Sequence, residues 1–109
     1  MGGNCVDTSG VGGGSWGAWV NVAASRAGRV WYQNNTSTGR YVAYQFGTGG
    51  NAEAFVSPTG TSTNWVRVTG PDGDSGEWKP GAFIVPPGHY YYIDAGAGVR
   101  MWSELQLPF

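Results

Sequence analysis

The chain has 109 residues, enough for one domain that buries roughly 65% of the surface its unfolded form would expose. Only 12% of the residues are charged, the net charge is −1, and the basic side chains Arg26, Arg29, Arg40, Arg67, Lys79 and Arg100 are scattered. That excludes the concentrated basic face of a nucleic-acid binder and argues against charge-driven attachment to a membrane.

Residues 1–15 read as a glycine-rich arm with neither helical nor strand period. Cys5, within it, is the single cysteine, so no disulfide can close inside the chain. The domain proper, residues 16–109, must therefore hold by packing. Gly12, Gly14 and Gly17 match the spacing of a dinucleotide-binding loop, but no strand pattern precedes them and no helix pattern follows. The start lacks a charged segment followed by an apolar run of secretory length, and no window reaches membrane-spanning length. Synthesis in a cytoplasm, without membrane insertion, is the expectation.

From Trp16 onward, β-prone runs alternate with turn clusters. The runs are WVNVAA (19–24), RVWYQN (29–34), RYVAYQF (40–46), AEAFVS (52–57), NWVRVT (64–69), AFIVP (82–86), HYYYID (89–94) and VRMWSELQL (99–107). Valine, isoleucine and aromatic residues fit a pleated, half-buried surface, and the Gly/Pro-rich separators supply turns. About eight such runs, without a convincing helix, predict an all-β fold: an antiparallel β-sandwich, jelly roll or small barrel. The stretch from Ser25 to Phe46 reads as a hairpin around a polar turn.

Period-2 alternation gives partial cores. Val42, Tyr44 and Phe46 share one face. Val66 and Val68 share another, with Trp65 and Arg67 opposite. In the last run Val99, Met101, Leu105 and Leu107 stand opposite Arg100, Trp102 and Glu104. Both faces of that run carry a large apolar group. Either Trp102 packs in the core while the aliphatics meet a partner, or the reverse; an interface in a homo-oligomer would cover both.

Chemistry is sparse. His89 has no nucleophile or orienting acid at motif spacing. No set of Cys, His or carboxylates has zinc-ligand spacing. Asp72, Asp74 and Glu77 share one glycine-rich loop, yet Gly76 stands where the calcium-loop pattern needs a ligand. No catalytic site, metal or cofactor is expected. Aromatic stacking is the remaining resource: Trp65, Trp78, Tyr90 and Tyr92 could pack on sugar rings, the two tyrosines facing outward if Tyr91 and Ile93 face in.

Three short motifs occur in order. The first is carried by Ser25, Arg26, Tyr32, Asn34, Thr36, Gly39 and Arg40, the second by Val85, Pro86, Gly88 and Tyr91, and the third by Trp102, Ser103, Glu104 and Leu105. Together they resemble small β domains of bacteriophage tail fibres and related virion proteins, over most of the domain. This chain departs from that pattern where Tyr41 follows the basic residue in place of a proline, and in having a glycine-rich arm instead of a long stalk. The resemblance implies a non-enzymatic structural protein of the virion, made in the bacterial host cytoplasm, that packs against other virion proteins and is often trimeric. It implies either attachment to a host-surface glycan or, for a stand-alone copy with an arm, capsid decoration. A small bacterial carbohydrate-binding lectin is the alternative from another class. Because Arg26 and Glu104 both belong to recurring motifs, they are expected to pair; Asn34, Thr36 and Gly39 are expected to shape a turn, Asn and Gly by tolerating positive φ.

Overall fold

The computed structural model describes residues 15–47, 51–70 and 79–109. The arm as far as Gly14, including Cys5, lies outside the described residues, as do Trp78 and the loop carboxylates Asp72, Asp74 and Glu77.

Among the described residues eight strands form: β1 (Val20–Asn21), β2 (Tyr32–Gln33), β3 (Arg40–Phe46), β4 (Ala52–Ser57), β5 (Val66–Thr69), β6 (Lys79–Val85), β7 (Tyr90–Ala95) and β8 (Val99–Gln106). They build two four-stranded antiparallel sheets, ordered β1-β8-β3-β6 and β2-β7-β4-β5. The pairs β1·β8 and β3·β6 fall in the first sheet, and β2·β7 and β4·β5 in the second. First strand with last, second with next to last, and so inward: this is one long ribbon wrapped into two layers, the jelly roll among the predicted alternatives. The contacts β3·β8 and β4·β7 close the two sheets.

The core follows from alternation. β3 turns Val42, Tyr44 and Phe46 inward, β6 adds Phe83 and Val85, and β8 adds Trp102. Facing them are Ala52 and Ala54 of β4 and Tyr91, Ile93 and Ala95 of β7. The alanines leave room for the rings opposite, so large and small residues interdigitate. Phe46 and Trp102 meet edge to face at 6.0 Å, as do Tyr44 and Phe46 at 5.8 Å. In the last run Trp102 is in the core and Met101 is 41% exposed on the outside, but Leu105 and Leu107 are buried too and Val99 packs against the core, so neither expected alternative holds for the run as a whole.

Several expectations are corrected. The 25–46 stretch is not a hairpin: β2 pairs with β7 and β3 with β8 and β6, so the connection crosses from one layer to the other. The run at 19–24 keeps only two strand residues. The Asn21 side chain accepts a hydrogen bond from the Ala23 amide (3.0 Å), and a 3₁₀ turn follows over Ala23–Ser25. Short polar side chains offer the backbone this alternative to a ladder. The run at 29–34 is cut at its start because Arg29 has φ of 60°, in the left-handed region that a strand cannot use. Val66 and Val68 are no core pair, being 64% and 43% exposed. β5 is an edge strand, with a register shift against β4 between Ala54 and Phe55; Val66 stands opposite Val56, which packs on the core, yet at the sheet's edge it stays open to solvent.

β6 starts earlier than its apolar run, at Lys79, and takes in Pro80 and Gly81. An edge strand tolerates a proline. Gly81 sits opposite Tyr44, and a Cβ there would collide with the Tyr44 ring and hydroxyl.

Candidate functional site

Two clusters of side chains stand out. The first lies on the outer face of the second sheet. In β4 the inward Ala52 and Ala54 send Glu53 and Phe55 outward; in β7 the inward Tyr91 and Ile93 do the same for Tyr92 and Asp94. Tyr90 and Tyr92 are thus placed as expected, both half-buried on that face. Phe55 and Tyr92 are direct cross-strand partners. Trp65, just before β5, stacks on Phe55 with centroids 3.9 Å apart and planes at 16°. Trp31, just before β2, reaches Tyr92 at 4.9 Å and Trp65 at 6.1 Å, and Trp65 lies 5.6 Å from Tyr92.

Four half-buried rings therefore share one surface. Ion pairs stand beside them. Glu53 and Asp94 are opposite one another across β4 and β7. Like charges so placed repel, and each is neutralised by its own arginine. Arg67 Nη1 is 2.5 Å from Glu53 Oε2, and Arg29 Nε is 2.9 Å from Asp94 Oδ1. The face thus carries apolar ring surface with both donors and acceptors at its margin, the combination that packs on a sugar's C–H face and reads its hydroxyls.

Tyr90 lies further along the sheet, beneath the loop that joins β4 to β5. Gly60 of that loop has φ of 77°, and its Cβ position lies 3.0 Å from the Tyr90 ring. Buried Ser57 holds the loop: its Oγ accepts from the amides of Thr59 (3.1 Å) and Gly60 (3.0 Å) and donates to Asn64 Oδ1 (2.6 Å). Of the four predicted stacking residues, Trp65 and Tyr92 are brought together, Tyr90 is beside them, and Trp78 lies outside the described residues. Trp31 and Phe55 escaped the sequence reading. The signal was present for Phe55, since alternation puts it opposite whichever face buries the two alanines.

The second cluster gathers the motif residues between the sheets. Glu104, buried, is its centre. Arg26 donates from Nε to Glu104 Oε2 (3.2 Å) and from Nη2 to Oε1 (3.0 Å). Tyr91 donates to Oε2 at 2.6 Å and Trp102 Nε1 donates to the same oxygen at 2.9 Å. Arg40 Nη1 stands 3.6 Å from Oε1 and donates to the Tyr91 hydroxyl at 3.2 Å. The expected pairing of Arg26 with Glu104 is present, bidentate. The Arg26 guanidinium also lies 4.7 Å from the centre of the Tyr32 ring, within cation–π range.

Burial alone would push the Glu104 carboxyl up, but donation from Arg26, Tyr91 and Trp102 outweighs it and holds the group below the ordinary carboxylate range. The same burial, with the neighbouring Glu104 charge, pushes the Tyr91 hydroxyl up to about 12. Tyr91 therefore stays protonated as a donor.

Asn34 supplies a third polar knot. It is fully buried, and its amide nitrogen donates to the carbonyls of Thr38 (2.8 Å), Val85 (3.0 Å) and Pro86 (3.3 Å). Thr36 Oγ1 donates to Asn34 Oδ1 at 2.6 Å. Neither Asn34 nor Gly39 adopts positive φ, contrary to expectation; among the described glycines Gly60 and Gly88 do. Gly39 instead lies in a tight place, its Cβ position 3.3 Å from Leu107 Cδ1 and 3.4 Å from the Phe109 carbonyl oxygen, so a side chain there would make its neighbours give by a few tenths of an ångström. Gly88 and Pro86 form the turn between β6 and β7, with the Gly88 amide donating to the Asn34 carbonyl at 2.8 Å. Ser25 Oγ caps the 3₁₀ turn by donating to the Val22 carbonyl at 3.1 Å.

Among the described residues no three or more His, Cys, Asp or Glu side chains converge as a metal site. Compared with protein-family models, with curated proteins and with solved structures, the chain matches none.

Proposed function

We propose that this chain is a non-enzymatic structural protein of a bacteriophage particle, displayed on the exterior, and that it attaches to host-surface glycan through the outer face of the β2-β7-β4-β5 sheet. One observation carries the reading: Trp31, Phe55, Trp65 and Tyr92 form a half-exposed cluster of rings flanked by the Arg67–Glu53 and Arg29–Asp94 pairs. A jelly roll suits both virion and lectin roles. The three motifs behind the tail-fibre resemblance supply the buried Arg26–Glu104–Trp102 cluster and the Asn34 knot, which favours the domain type.

Assembly with further copies, a trimer by the resemblance, has its own support in the opposite face. There Tyr41 stands between Ile84 and Leu105, Ala43 between Ala82 and Ser103, and Gln45 between Pro80 and Met101. These three rows carry no charged side chain, and Ile84 is 54% exposed. Trp19 and Tyr41 cover one end of this face, with Leu105 buried, and the charge-free remainder around Ile84 and Met101 fits packing against another subunit or another virion protein. One face for assembly and one for glycan is the arrangement an attachment protein needs.

The test is competition. Purified chain added to host cells should reduce adsorption of the particle. Unchanged adsorption, together with the chain placed all over the shell in a particle reconstruction, would favour capsid decoration. Glycan binding by a chain that no particle contains would favour a bacterial lectin.

A further inference from the structure

The buried cluster around Glu104 holds two guanidinium groups and one carboxylate. Glu104 spends both oxygens on Arg26, and Tyr91 and Trp102 fill the rest of Oε2. Arg40 is left at 3.6 Å from Oε1, with 14% of its side chain exposed. Its other contacts use Nε, to Gln106 Oε1 (3.4 Å), and Nη1, to Tyr91 and the Gln33 carbonyl. Its Nη2 has no partner among the described residues. The other ion-paired carboxylates described there, Glu53 and Asp94, belong to Arg67 and Arg29. Among the described residues the cluster is thus one positive charge in excess, and a buried charge is costly unless an opposite one meets it.

A recess of about 370 Å³ opens onto this arginine. It is lined by Arg40, Glu104 and Gln106 and, from the segment that contains the short edge strand β1, by Gly17, Ala18, Val20 and Val22. That volume is within the range of small-ligand sites. Apolar walls around a guanidinium fork suit an anion that is planar and has an organic body, more than a fully hydrated inorganic ion.

We propose that this recess binds a small organic carboxylate, its carboxyl on Arg40 Nη2 and its body against Val20 and Val22. The site lies at the edge of the first sheet, remote from the aromatic face in the fold, and does not depend on the glycan reading. A sugar acid and an aliphatic acid share the chemistry, and the test separates them.

Full-length protein is titrated with glucuronate, butyrate and inorganic phosphate at constant ionic strength, following the Trp102 indole N–H resonance next to the cluster. The expected result is a saturable shift with glucuronate, butyrate or both, and none with phosphate. Arg40→Gln should weaken binding about tenfold or more. Because that variant could fail to fold, Val20→Ala is the second: Val20 is 54% exposed, so its truncation costs the fold little while it removes the apolar surface against which the ligand's body rests. No saturable shift with either carboxylate, an equal shift with phosphate, or undiminished binding in Val20→Ala would overturn the proposal.

Discussion

Arg26 and Glu104 are 78 positions apart in the chain and meet in a two-pronged ion pair, with Arg26 Nη2 3.0 Å from Glu104 Oε1. The contact joins the 3₁₀ turn after β1 to the middle of β8, so it fastens the start of the domain to its last strand. The pair is mostly buried, its side chains 18% and 8% exposed. Removing either partner strands the other, at a cost of about 3–5 kcal/mol. Urea unfolding of Arg26→Ala, Glu104→Ala and the double variant should be strongly non-additive, the second substitution costing little once the first is made. Additive losses would mean that the two side chains do not act as a pair.

The Glu104 carboxyl also sets an acid limb. Its folded value is depressed, so its contribution is complete above the ordinary carboxylate pKa of about 4.3 and is lost as pH falls toward the folded value. Glu104→Gln should flatten the dependence of the urea midpoint on pH below about pH 4.5. Tyr91 sets the opposite limb. Its folded value is raised to about 12, so its contribution is complete below the ordinary tyrosine value and drains away as pH climbs through that window. Tyr44, also raised by burial, adds to this limb. Tyr91→Phe should lower stability at neutral pH yet lose less of it on going alkaline; an unchanged alkaline slope would contradict the assignment.

Asn34 acts as a donor to carbonyls from three positions in the chain. Asn34→Ala leaves those buried acceptors unmet, at about 1–3 kcal/mol. Asn34→Asp keeps the shape but turns the donor into an acceptor facing carbonyl oxygens, so it should be the worse of the two. Thermal melts rank the pair directly, and Asp tolerated better than Ala would reverse the account of this site.

Gly81→Ala should destabilise by about 1–3 kcal/mol through its collision with Tyr44. In a Tyr44→Leu background the same change should cost much less, because the ring it meets is gone. Equal costs in the two backgrounds would place the strain elsewhere.

How much was legible depended on whether a signal was local. β3 and β4 read correctly end to end, because each is a continuous β-prone run bounded by turns and read with period-2 alternation. The inward Val42, Tyr44 and Phe46 followed from that alternation alone. Pairing across layers was not legible. Nothing in the residues 25–46 says that β2 leaves its neighbour β3 for β7, since that choice is made by Tyr32 packing on Tyr91 and Trp102 in the finished core. Pro80 and Gly81 looked like breakers because a sequence does not reveal which strand lies at an edge or where a ring will sit. The aromatic face was half legible: Trp65 and Tyr92 stood out, but Trp31 joins them only because the β2·β7 pairing carries it there. Glu53 and Asp94 become neighbours through register, a tertiary fact.

The aromatic face is the claim on which the functional reading turns, and binding to surface polysaccharide tests it most directly. Full-length protein, and the variants Trp31→Ala and Trp65→Ala, would be measured against polysaccharides purified from candidate host bacteria. Each lost stacking surface is worth about 0.5–1.5 kcal/mol beyond area, so each variant should weaken binding several-fold, with a far-ultraviolet spectrum like that of the parent. Undiminished binding in the Trp31/Trp65 double variant would contradict the account.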